Sequence, residues 1–88
     1  MVMWKLVYTK QGQKDAKKIA RAGLKKKTKI LLQILEENPY QNPPAYEKLV
    51  GDLSGAYSRR INIHHRLVYQ IYEELQTIKI IRMWTHYE

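Results

Sequence analysis

The sequence contains no cysteine in 88 residues. No disulfide framework can reinforce a small core, and thiolate metal sites are excluded. The absence fits a cytoplasmic protein, and that location is the expectation. Long apolar runs are also missing. Stretches such as Ile30-Leu31-Leu32 are far too short to cross a bilayer. The opening residues, MVMWKLVYTK, lack a basic n-region followed by a long apolar segment, so neither a signal peptide nor a membrane partner is expected. Acidic residues are scarce: eight Asp/Glu stand against sixteen Lys/Arg, for a net charge of +8. A charge of that size on a small domain attracts polyanions and says little about fold. There is no internal repeat, and the only biased run is the lysine cluster at Lys25, Lys26 and Lys27. The length fits one domain over residues 1–88, with roughly 60–65% of the unfolded surface buried on folding.

What is present is unevenly placed. Between Lys5 and Lys29 there are ten Lys/Arg and one acidic residue, Asp15. The remaining six basic residues include four arginines. Lysines are hydrated point charges, whereas arginines offer planar forks that match phosphate oxygens. The sequence therefore predicts a lysine-rich surface for general attraction and an arginine-rich one for specific contact.

Hydrophobic patterning organises the chain around residues 53–72, LSGAYSRRINIHHRLVYQIY. A turn signal is followed by two β-segments, 57–63 and 65–72, meeting at a two-histidine corner. Upstream, residues 3–8 read as a first strand and 9–13, with Gly12, as a turn. Residues 15–22 read as a helix with Ala16, Ile19 and Ala20 on one face. Gly23 stops it. A second helix over 24–37 carries an apolar stripe of Ile30, Leu31, Ile34 and Leu35 and ends at Asn38-Pro39. A stiff proline-containing connector leads to a short strand at 46–50, and residues 76–84 form the last strand. The expected fold is α+β with order β-α-α-β-β-β-β: a mainly antiparallel sheet, two N-terminal helices packed on one face, and the other face open as a ligand platform.

Several residues could carry chemistry. The lysine-rich helices serve equally as phosphate contacts or as a solvated face that keeps the domain in solution. Arg59, Arg60 and Arg66 lie within eight residues of one another, a density that favours phosphate binding. Strand alternation forbids Arg59 and Arg60 from sharing a face. His64 and His65 diverge as strand neighbours and lack further ligands at metal spacing, so no metal site is expected. His86 lies beside Tyr87 past the last strand, with access to solvent and substrate. Glu47 reads either as a strand-surface carboxylate paired with a lysine or as a general base.

The combination of Leu53-Ser54-Gly55, an aromatic, Ser58-Arg59-Arg60-Ile61, His65-Arg66-Leu67-Val68-Tyr69 and a closing His86-Tyr87 resembles the YoeB/Txe toxins of the RelE-like superfamily of type II toxin–antitoxin systems. The resemblance spans the whole chain and implies a microbial-ribonuclease-like α+β fold. It also implies cleavage of messenger RNA in the ribosomal A site without metal or cofactor. The partners it implies are a cognate antitoxin of the YefM/Axe/Phd kind, the ribosome and its message, and operator DNA only through the antitoxin complex. It leaves the choice between monomer and homodimer open. By position, the family's catalytic carboxylate falls on Glu47, its transition-state arginine on Arg66, and its C-terminal catalytic pair on His86 and Tyr87. Arg59, Arg60 and Lys48 fall among substrate-binding positions, and Lys25, Lys26 and Lys27 become candidates for ribosomal RNA contact. The chain departs from the pattern at Val50, where the family often carries a lysine three residues after the carboxylate, and at Glu88, which follows the His-Tyr pair. Apart from the resemblance, composition alone fits a non-catalytic basic RNA- or DNA-binding module equally well.

Overall fold

Thr9 sets the start of the first helix. Its hydroxyl accepts from the Gly12 N–H at 2.9 Å and donates to the Ile81 carbonyl at 2.7 Å. One side chain thus caps a helix and ties it to the sheet. In the computed structural model, which describes residues 3–51 and 55–84, strand β1 (Lys5–Tyr8) leads through this cap into helix α1 (Lys10–Arg21). The turn expected at 9–13 is therefore the first turn of a helix. Gly12 is there for close approach: a Cβ at that position would lie 2.7 Å from the Ile80 carbonyl oxygen. Gly12, Asp15 and Ile19 are the buried positions, and Ala20, expected on the buried face, is exposed.

Gly23, with φ of 77°, ends this helical run in the left-handed region that glycine tolerates. Helix α2 (Lys25–Glu37) follows, burying Thr28, Leu31 and Leu35. Ile30, counted in the expected stripe, is 55% exposed. The buried residues follow i, i+3, i+7, a narrower face than the one read from consecutive apolar residues. Asn38 turns extended and terminates the helix ahead of Pro39. This is the backbone restriction a following proline imposes.

The connector leads to β2 (Tyr46–Lys48), β3 (Ala56–Arg60), β4 (Arg66–Tyr72) and β5 (Thr77–Arg82). Each of the β-segments is shorter than its predicted span. Residues 61–65, for example, form a corner in which Ile61 and Asn62 N–H both donate to the His65 carbonyl. The sheet order is β1-β5-β4-β3-β2, with β1 parallel to β5 and every other pair antiparallel. The helix pair carries the chain away from β1 and lets the last strand return beside it.

Register assigns the faces. Tyr57 pairs with Tyr69, Arg59 with Leu67 and Ile71 with Ile78, so these residues share one side. With Ile19, Leu31, Leu35, Ile61, Ile80 and Met83 they border or build the core under the helices. The opposite side carries Glu47, Ser58, Arg60 and Arg66. That second face was expected to be open, but it is only partly so, because Ala56, Ser58 and Val68 are buried on it.

A cationic cleft on the sheet face opposite the helices

Glu47 lies opposite Ser58 across the β2–β3 ladder, and Arg60 lies opposite Arg66 across β3–β4. All four point away from the helices. With Pro44 and Ala45 from the connector they line a small open cleft of about 280 Å³. Arg66 Nη1 lies 3.8 Å from Glu47 Oε1, with the two side chains 25% and 68% exposed. That separation is a loose ion pair, worth about 0–1 kcal/mol at a surface. Two arginines directly opposed on one sheet face repel each other. An anion between their planar forks would relieve that repulsion.

Ser58 forms the floor. It is 1% exposed, and its Oγ has no hydrogen-bond partner among the described residues. A buried unsatisfied hydroxyl costs about 1–3 kcal/mol. Motif reading passed over it, although it belongs to the SRR triplet itself.

Arg59 is not in the cleft. The expectation that it binds substrate is corrected by strand alternation, which turns it under the helices, where it is 1% exposed. Its Nε donates to Tyr69 Oη at 3.0 Å, its Nη1 to the Pro44 carbonyl at 2.6 Å and its Nη2 to the Pro39 carbonyl at 2.9 Å. Its guanidinium also stands 4.9 Å from the Tyr46 ring centre. The five-donor fork thus clamps both ends of the proline connector that delivers β2, and with it Glu47. Burial pushes the Tyr69 phenol above its usual range, with the Arg59 charge acting in the opposite sense. Tyr69 therefore remains a neutral acceptor.

Lys48 also departs from the expected cluster. It pairs with Tyr57, so alternation points it away from Glu47. Lys25, Lys26 and Lys27 are exposed in the first turn of α2 and do not line the cleft. Cations at a helix N-terminus oppose the macrodipole by about 0.3–1 kcal/mol each, so this run concentrates positive potential at some cost to the helix. His64 is exposed at the corner, and its N–H and that of His65 both donate to Asn62 Oδ1. The two rings stand edge-on at 6.3 Å rather than diverging as expected, and His65 is buried and stacks on Trp84 at 3.9 Å. His86 and Tyr87 lie outside the described residues.

A small α+β domain with two helices on one sheet face and a Glu-Arg cleft on the other has close counterparts among bacterial toxins. The YoeB/ParE toxin from Agrobacterium tumefaciens superposes with a TM-score of 0.84 at 32% identity, covering 94% of this chain and 99% of that one. The matching chain of the YoeB–YefM complex from Staphylococcus aureus gives a TM-score of 0.80 at 33% identity, covering 96% and 98%. These likenesses define the class as that of a toxin of the YoeB/RelE-like fold. The sequence places the chain within it. The model of the family described as "YoeB-like toxin of bacterial type II toxin-antitoxin system" matches residues 6–87. Toxin YoeB of Synechocystis sp. is 37% identical over 65 residues, 74% of this chain and 73% of that protein. The chain belongs to the YoeB-like family of type II toxin–antitoxin toxins.

Proposed function

We propose that this toxin is a ribosome-dependent endoribonuclease that cuts messenger RNA in the A site and so halts translation. The observation that carries this reading is the placement of Glu47 beside Arg66 and Arg60 in one cleft. A protein that only bound phosphate would gain nothing from a carboxylate there, since it repels the ligand. A nuclease needs one, because a base must take the proton of the attacking hydroxyl. The carboxylate favours this reading over a non-catalytic RNA- or DNA-binding module.

RNA supplies its own nucleophile. The 2′-oxygen attacks the adjacent phosphorus as Glu47 accepts its proton. Arg66, assisted by Arg60, neutralises the charge gathering on the non-bridging oxygens. His86 donates a proton to the departing 5′-oxygen, and Tyr87 orients the scissile phosphate or stacks on a base. The phosphorus–5′-oxygen bond breaks, leaving a 2′,3′-cyclic phosphate and a 5′-hydroxyl, and no metal or cofactor enters this scheme. Lys25, Lys26 and Lys27 dock on ribosomal RNA as a salt-sensitive contact. The YoeB–YefM complex from S. aureus supports a corresponding antitoxin partner for this chain. In complex with that antitoxin the toxin would reach operator DNA.

End-group mapping tests the chemistry. Fragments from ribosome-bound message should carry 2′,3′-cyclic phosphate and 5′-hydroxyl ends. Fragments with 5′-phosphate ends would exclude attack by the 2′-hydroxyl.

A further inference from the structure

A general base must sit within hydrogen-bond reach of the proton it takes. Glu47 is poorly placed to stay there unaided. It lies on a three-residue strand at the edge of the sheet. Its side chain is 68% exposed and is held by Arg66 at 3.8 Å. Arg66 is also the group that turns to the phosphate in the scheme above, and as it does so Glu47 loses that hold. Arg60 lies opposite Arg66 and is drawn to the same anion. Lys48 points to the other face. The charged groups that share the cleft with Glu47 are therefore both engaged by phosphate.

Ser58 is the group left over. It lies directly opposite Glu47 in the β2–β3 ladder, where Cβ atoms stand about 4.5–5.5 Å apart. It is 1% exposed, and its Oγ has no hydrogen-bond partner among the described residues. A serine hydroxyl can donate one hydrogen bond and accept two, and leaving it buried and unpaired costs stability. Its place in the cleft points to the missing partner. A second hollow of about 330 Å³ is lined by Glu47, Leu49, Ser58 and Arg66. The two hollows share Glu47, Ser58 and Arg66, so the ion pair and the hydroxyl form the divide between them.

We propose that Ser58 is a positioning residue: when phosphate draws Arg66 away, its hydroxyl donates to the Glu47 carboxylate and fixes the base above the cleft floor. The inference rests on the nuclease reading above. Ser58 keeps its proton throughout. One carboxylate oxygen accepts from the serine, and the other takes the proton of the 2′-hydroxyl.

The test combines single-turnover cleavage of ribosome-bound message at saturating toxin with urea denaturation of the free toxin. Ser58→Ala deletes an unpaired buried hydroxyl, so the urea midpoint should rise. The cleavage rate should nevertheless fall about 10- to 100-fold, the range of one hydrogen bond to a charged group. The half-saturating toxin concentration should change little, because both arginines are retained. Ser58→Thr keeps the hydroxyl and should recover most of the rate. In a Glu47→Gln background, Ser58→Ala should add less than about a 2-fold loss, because the base it positions is already gone. If Ser58→Thr does not fold, the comparison of the two backgrounds carries the test. A wild-type rate or a lowered urea midpoint in Ser58→Ala would overturn the inference. So would a folded Ser58→Thr no faster than Ser58→Ala, or equal losses in the two backgrounds, which would put the hydroxyl on the phosphate instead. Glu47→Gln that cuts like wild type would leave Ser58 nothing to position. Wild type that leaves the message uncut would overturn the nuclease reading itself.

Discussion

Arg59 and Arg60 are neighbours of one residue type with opposite tasks, because a strand sends them to opposite faces. Arg60 serves the cleft, while Arg59 holds the connector beneath the helices. Arg59→Lys keeps the charge but cannot reproduce three forked donations, and it should cost about 2–4 kcal/mol as buried acceptors lose their partners. Urea denaturation would read this as a lower midpoint at unchanged m-value, and an unchanged midpoint would refute the clamp. Glu47→Gln should lower the cleavage rate about 10²- to 10⁴-fold, the range for losing a general base, while message binding persists. Single-turnover kinetics on ribosomes would separate the two effects. Tyr69 adds a pH dependence. Its phenol is held above the ordinary value of 10.0 by burial, so the unfolded chain loses this proton first as pH rises. Its stabilising contribution is complete below pH 10 and is lost as pH climbs through and beyond it. Replacing Tyr69 with Phe should flatten this part of the alkaline stability profile.

At the scale of elements, the number, type and order of strands and helices were legible in the sequence, because apolar periodicity and the Gly23 and Pro39 stops are local signals. The start of α1 was not. Gly12 among polar residues reads as a turn, and the reason for a glycine there is the Ile80 carbonyl of a strand 68 residues later. Gly12→Ala should therefore destabilise the fold by about 1–3 kcal/mol through overpacking, although alanine favours helices. A thermal melt showing stabilisation would contradict this account. Ile30 was assigned to the buried stripe because adjacent apolar residues cannot be ranked by period alone. The candidate site divides in the same way. Glu47, Arg60 and Arg66 line one cleft, whereas Arg59 and Lys48 lie off it through strand alternation; alternation forbids Arg59 and Arg60 a common face but does not say which of the two faces the cleft. Ser58 was hidden because a serine in a strand carries no signal until its burial is known.

For the whole molecule, charge is divided between two surfaces. The cleft holds arginines opposed across a ladder, and the lysine run lies in the first turn of α2, outside the cleft lining. Under the proposed nuclease reading, the charge of +8 is divided between a surface for attraction and a cleft for chemistry. Charge reversal at Lys25, Lys26 and Lys27 should weaken ribosome binding and flatten its salt dependence, because phosphate contacts release counterions in proportion to their number. Sedimentation with ribosomes across a salt series would measure that slope, and an unchanged slope would remove these lysines from the interface.

Primer extension on a defined message in a purified translation system tests the central claim most directly, with wild type, Glu47→Gln and Arg66→Ala side by side. The account predicts cuts at the ribosome-positioned codon with wild type and none at matched times with either variant, although both variants fold and bind ribosomes. Cuts of equal strength with all three proteins would place the chemistry outside this cleft.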